Sequence, residues 1–87
     1  MNVERLVAMV NDIAAFFAGD AGPGAPAAVA NHLRRFWDPR MRNQIIAAYR
    51  TDPSSLRNLS ETGRAAIAVL AADDDARNAK VKMQNAN

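Results

Sequence analysis

The chain contains no cysteine and only one histidine among its 87 residues. Without thiolates it cannot hold an iron–sulfur cluster or a cysteine-ligated zinc ion, and it has no thiol nucleophile. A single histidine also makes a histidine-based metal site or a Ser-His-Asp triad implausible. We therefore assign no catalytic, metal-binding or cofactor-binding residue, and we expect that the chain is not an enzyme by itself. No disulfide can stabilise it, and a domain this short is marginally stable.

Long apolar runs are missing as well. No segment reaches the ~18 apolar residues of a membrane-spanning helix. The N-terminal segment carries Glu4 and Asp12 among its apolar residues, which is not typical of a secretory signal peptide. We expect a cytoplasmic protein that does not bind a membrane.

The net charge is only +2, but the positive charges are concentrated in one sector. Residues 32–50 contain five arginines and one acidic residue, Asp38. In residues 51–75, by contrast, most of the charged side chains are acidic. Within this sector the stretch "HLRRFWDPRMR", residues 32–42, combines four arginines, the histidine, a phenylalanine and the single tryptophan. This stretch is the strongest candidate for a functional site.

Residues 2–18 show the periodicity of an amphipathic helix. The apolar residues at the i, i+3, i+4 and i+7 spacing of one helical face are Val3, Leu6, Val7, Val10, Ile13, Ala14 and Phe17. Asn2 is expected to cap this helix, and Gly19 is expected to end it in a left-handed conformation. Met9 and Phe16 lie off the stripe, so the apolar surface is wider than one partner helix would cover.

A loop and two further helices are predicted next. The segment "GDAGPGAPAA" contains three glycines and two prolines, which predicts a flexible loop that lets the first two helices pack antiparallel. The second helix is expected to start near Pro26 and to weaken at Asp38, because the residue before a proline is disfavoured in a helix. Asp38 then caps a third helix with Pro39 at its first position. The result is a helix–corner–helix joint.

The third helix is expected to end near Tyr49 or Arg50, before a second Asp-Pro step. The next apolar stripe consists of Leu56, Leu59, Gly63, Ala66, Ile67 and Leu70. Ser60 is predicted to divide this segment into a turn and a separate helix, since Gly63 costs a helix interior about 1 kcal/mol.

The predicted fold class is all-α: a small helical domain of three to four short helices in residues 1–72. A polar tail in residues 73–87 is expected to be disordered or ordered by a partner.

The rings and arginines of the corner allow more than one interpretation. Phe36 and Trp37 project about 100° apart on a helix, so one of them can lie in the core while the other flanks it. Alternatively, Trp37 is an outward-facing anchor for a partner, since tryptophan and arginine are enriched in interface hot spots. The arginines are either a solvated face or two-pronged donors to carboxylate or phosphate groups. We rank a protein partner first and a nucleic acid below it.

The block "HLRRFWDPRMR" closely resembles a block in the delta subunit of cytoplasmic NAD-dependent formate dehydrogenases, and it matches at every position from His32 to Arg42. The paired phenylalanines Phe16 and Phe17 at the end of the N-terminal helix, and more loosely the later "LSETGRAAIAVLA", are similar to that family too. The resemblance covers about residues 2–72.

This resemblance implies a non-catalytic subunit of a larger complex. The alpha subunit of such complexes is expected to hold a molybdenum or tungsten bis-pyranopterin guanine dinucleotide cofactor and iron–sulfur clusters. The beta subunit is expected to carry FMN and bind NAD, and the gamma subunit further clusters. The residues expected to contact the alpha subunit are His32, Arg34, Arg35, Phe36, Trp37, Asp38, Pro39, Arg40, Met41 and Arg42.

Three hypotheses follow. The first is an accessory subunit that stabilises the catalytic subunit or assists insertion of its cofactor, in which Trp37→Ala weakens the complex more than any single arginine change. The second is a helical nucleic-acid-binding module that uses the arginine cluster, with affinity that falls steeply with salt. The third is an assembly chaperone that leaves after maturation.

Overall fold

A computed structural model describes the backbone of residues 2–85 and the side chains of residues 2–77. It contains four α-helices: α1 (Val3–Ala21), α2 (Ala25–Phe36), α3 (Pro39–Thr51) and α4 (Glu61–Asn85). Short 3-10 helices at Gly22–Gly24 and Pro53–Leu56 join α1 to α2 and precede α4. No strand occurs in residues 2–85. The prediction of a small all-α fold is confirmed.

One apolar core joins the four helices, and α2 packs against both α1 and α4. The buried members of this core are Leu6, Val7, Val10, Ala14, Val29, Leu33, Trp37, Ile45, Ile46, Leu56, Leu59, Ala66, Ile67, Leu70 and Ala71. They include every large residue of the two predicted stripes given above except Val3, Ile13 and Phe17, which are half-buried against the same core. Burial of these faces supplies the main stabilisation of the fold.

The first helix begins as predicted and ends later than predicted. The Asn2 side chain accepts a hydrogen bond from the backbone N–H of Arg5 at 2.8 Å, which is an N-cap. The expectation that Gly19 ends the helix is wrong, because α1 continues through Ala21 and the positive φ, 54°, falls on Gly22. A single glycine costs a helix only about 1 kcal/mol, so Gly19 is tolerated. The predicted long loop is thereby reduced to a 3-10 turn.

The predicted division at Ser60 is confirmed, since α4 begins at Glu61. The Ser60 hydroxyl accepts a hydrogen bond from the N–H of Gly63 at 3.0 Å, as an N-cap does. Gly63 is buried, and a Cβ atom there would lie 3.1 Å from Val10 Cγ1 and 3.2 Å from Leu59 Cδ2. The glycine therefore permits a close approach of α4 to α1 that a larger residue would obstruct.

The helix α4 continues to Asn85, through most of the segment predicted as a polar tail. The first residues of that segment contact other helices: Asp73 forms an ion pair with Arg34, while Asp74 and Asp75 both pair with Arg50. Residues 86 and 87 lie outside the described residues. The division into a domain in residues 1–72 and a tail in residues 73–87 that is disordered or ordered by a partner stays a prediction.

Asn11 joins the segment before α4 to α1, and we expect its removal to destabilise the fold. Its amide donates to the carbonyl oxygen of Asn58 at 2.9 Å, and its Oδ1 accepts from the N–H of Ser60 at 2.8 Å. Since a typical net hydrogen bond contributes roughly 0.5–1.5 kcal/mol, Asn11→Ala should lower the free energy of unfolding by about 1–2 kcal/mol in urea denaturation. Asn31→Ala is the matched control, because Asn31 is exposed on α2. Equal effects of the two changes would contradict this role.

Candidate protein-interaction surface

The corner between α2 and α3 is built by local backbone contacts. Trp37 leaves the helix with extended dihedrals, φ −86° and ψ 142°, while its N–H still donates to Leu33 O at 3.0 Å. Asp38 Oδ1 accepts from the N–H of Met41 at 3.1 Å, and Pro39 is the first residue of α3. The predicted helix–corner–helix joint is therefore confirmed, as is the capping role of Asp38.

Arg42 fixes this corner by a contact that sequence reasoning missed. Its Nη1 donates to two carbonyl oxygens near the end of α2, Arg34 O at 2.8 Å and Trp37 O at 2.9 Å. The last carbonyls of a helix lack intrahelical partners and carry partial negative charge, so a guanidinium stabilises them. The guanidinium of Arg42 is thus engaged within the chain.

The two neighbouring rings of the corner have opposite environments. Trp37 is 6% exposed and belongs to the core, whereas Phe36 is 70% exposed. The expectation that the corner presents Trp37 outward is wrong. Helical spacing could not place this side chain, because the backbone leaves the helix at Trp37. The alternative of one ring in the core and one outside it is the observed arrangement.

The five arginines of the basic sector divide into two groups. Arg34 pairs with Asp73, Arg50 pairs with Asp74 and Asp75 and donates to Ala71 O at 3.1 Å, and Arg42 binds carbonyls. Arg35 and Arg40 are exposed, and their side chains make no hydrogen bond or ion pair with another described residue. The acidic residues that follow α3 therefore neutralise part of the basic sector from within the chain.

A row of four rings crosses from α1 to α2 beside the corner. Phe16 contacts Phe17 with ring centroids 5.2 Å apart, Phe17 contacts His32 at 5.9 Å, and His32 contacts Phe36 at 4.7 Å. We call these four residues the aromatic row. Phe16 is 69% exposed and Phe36 70% exposed, while Phe17 and His32 are half-buried.

The aromatic row combines predicted and unpredicted site residues. His32 and Phe36 were candidates, but Phe16 and Phe17 were not assigned to the site. The sequence did carry a signal for them, since Phe16 lies off the apolar stripe of α1. The sequence could not show which residues Phe16 would lie beside. Only the packing of α1 against α2 shows that Phe16 and Phe36 lie on either side of the same two inner rings.

Comparison with known proteins identifies the family of the chain. The family model for FdsD, the NADH-dependent formate dehydrogenase delta subunit, matches residues 5–67. The chain belongs to the FdsD family. The matched range spans the aromatic row, the corner and the first turns of α4. Searches of curated proteins and of solved structures found no significant match.

Neither a metal-binding cluster nor a membrane-spanning helix is found among the residues that the structure describes. No group of three or more His, Cys, Asp or Glu side chains there is placed to hold a metal ion. Among the described helices, none has the length and apolar character needed to cross a bilayer.

Proposed function

We propose that this FdsD family member is a non-catalytic subunit that docks on the large catalytic alpha subunit of an NAD-dependent formate dehydrogenase in the cytoplasm. There it stabilises the alpha subunit or assists insertion of its cofactor. The observation that carries the proposal is the family match over residues 5–67. Two large aromatic side chains exposed within the matched range support it, since such groups are favoured at protein interfaces.

The redox groups of the complex belong to other subunits in this proposal. A molybdenum or tungsten bis-pyranopterin guanine dinucleotide, iron–sulfur clusters and FMN are assigned to the alpha, beta and gamma subunits. Two features of this chain support that assignment. It has no cysteine for cluster ligation, and its single histidine, His32, packs between the rings of Phe17 and Phe36.

The accessory role needs no chemistry of its own. A protein that binds only the folded, cofactor-loaded catalytic subunit stabilises that form by mass action. The stabilisation amounts to about 2.7 kcal/mol when the binding partner is present at 100 times its Kd. The same preference favours retention of the inserted cofactor, because loss of the cofactor would also weaken the bound complex.

Within the block of residues 32–42 we assign two roles. His32, Arg35, Phe36, Pro39 and Arg40 are at least partly accessible and form the proposed contact side. The remaining residues shape or anchor the corner, although Asp38 is itself exposed. Arg34 does so through Asp73, Leu33, Trp37 and Met41 through the core, and Asp38 and Arg42 through hydrogen bonds to the backbone.

We expect that omission of this chain from co-expression of the complex lowers the metal content and formate oxidation of the purified enzyme. Metal analysis and activity per catalytic subunit measure this, with re-expression of the full chain as the control. If the chain acts only by stabilisation, the enzyme purified without it is metal-loaded but melts at a lower temperature. Full metal content, full activity and an unchanged melting temperature without the chain would contradict both forms of the proposal.

A further inference from the structure

Large exposed apolar side chains in the described part of the chain are few and unevenly placed. They are Phe16, Phe36 and Val69. The two phenylalanines are the ends of the aromatic row, so their exposed faces are joined through Phe17 and His32 into one apolar surface. Val69 lies on α4 and is not a member of the row. A continuous exposed apolar surface on a small protein marks an interaction site, whereas a single exposed residue does not.

Two shallow grooves flank the row and share Phe17 and His32. The first is lined by Asp12, Ile13, Phe16, Phe17 and His32, and the second by Phe17, Ala28, Asn31, His32, Arg35 and Phe36. The aromatic row is therefore a raised line of rings with an open groove on each side. Such a shape suits the side chains of another protein better than a small ligand, which requires enclosure.

Charge defines what the partner must present. Arg35 lines the second groove beside Phe36 and is exposed, and its side chain has no hydrogen-bond or ion-pair partner among the described residues. Its guanidinium remains available for a carboxylate on the partner, in the bidentate geometry that arginine favours. The complementary surface is therefore apolar at its centre and carries an Asp or Glu at its edge.

We propose that the aromatic row, with Arg35 at its edge, is the surface by which this chain docks on the catalytic subunit; this rests on the function proposed above. Membership in a family of delta subunits requires a surface for other polypeptides. Among the described residues no second exposed apolar surface of this extent exists. If a second copy of this chain occupied the row, that surface would be unavailable to the other subunits.

The test uses the full chain and the metal-loaded fraction of the complex purified without it, because the chain is proposed to bind the cofactor-loaded form. The double change Phe16→Ser with Phe36→Ser should weaken binding about 30-fold or more, as the loss of a hot spot does. Val69→Ser removes an exposed apolar residue outside the row and should leave the Kd unchanged. Arg35→Glu, which alters charge and no ring, should weaken binding more at low salt than at high salt. Circular dichroism melts establish that each variant is folded.

The outcomes separate the two proposals. If the wild-type chain binds and the double variant binds equally well, the docking surface is wrong while the proposed function stands. If the wild-type chain fails to bind the complex at all, both proposals fail. If the isolated chain dimerises and the double variant is a monomer that still binds the complex, the row is a self-association surface and the inference is overturned. Should the double variant fail to fold, Phe36→Ala and Arg35→Glu decide the question by the same comparison.

Discussion

Trp37→Ala is expected to lower the free energy of unfolding by about 3–5 kcal/mol, the usual cost of truncating a buried Trp or Phe. Trp37 is 6% exposed and packs in the core that joins the four helices. Its removal loses both the burial of the ring and the contacts of the atoms that surround it. Small domains have a total free energy of unfolding of about 5–15 kcal/mol, so this loss is a large fraction of the stability of the chain.

Denaturation of the isolated chain in urea, followed by circular dichroism, measures the effect. The matched control is the adjacent Phe36→Ala, which truncates a ring that is 70% exposed and should change stability by less than about 1 kcal/mol. A Trp37→Ala variant as stable as wild type would contradict the core position of this ring. Equal losses from both changes would do the same.

The core position of Trp37 changes how the effect of Trp37→Ala on complex formation must be interpreted. Weaker co-purification of Trp37→Ala would follow from loss of the folded chain, without any direct contact between Trp37 and a partner. Phe36→Ala is the informative change for docking, because it alters the surface while leaving the core intact. The two neighbouring residues thus separate stability from binding when both are measured for each variant.

Arg42→Ala is expected to cost about 1.5–3 kcal/mol, the range for hydrogen bonds that involve a charged group. Its Nη1 bridges Arg34 O and Trp37 O, and both carbonyls lie at the C-terminal end of α2. With alanine these oxygens lose their donor, and the corner between α2 and α3 loses a cross-link. We expect Arg42→Lys to recover only part of the stability, since an ammonium does not reproduce the planar guanidinium.

Arg40→Ala is the control for this prediction. Arg40 lies two residues earlier on α3 and is exposed, and its side chain makes no hydrogen bond or ion pair with another described residue. Its removal should leave the urea midpoint nearly unchanged, within the ~0.5 kcal/mol typical of surface substitutions. The structural role of Arg42 is refuted if the alanine variants at both positions unfold at the same urea concentration.

Local features of the chain made the helices and their caps predictable. Helix N-caps are local, because each joins a side chain to a backbone N–H only three residues later. The N-cap residues are Asn2, Asp38 and Ser60. Apolar periodicity identified most of the core for the same reason, because it depends only on the repeat of the helix. The block at residues 32–42 indicated the family, and the family model confirms it.

Contacts between distant residues were not predictable from the sequence. Asn11 and Ser60 are far apart in the chain, as are Arg34 and Asp73, and no local pattern pairs them. The choice of Gly22 over Gly19 as the helix end was not predictable either, since both glycines permit a positive φ and the structure has it at Gly22.

The sequence by itself determined an all-α chain of a recognisable family, with capped helices and a sharp corner, because these depend on local hydrogen bonding and on helical periodicity. Only the tertiary structure decided that Trp37 is in the core and that Phe36 is on the surface with Phe16. It also decided which arginines are engaged within the chain. Side chains at a corner point where the packing of the helices directs them, and that packing depends on residues far away in the sequence.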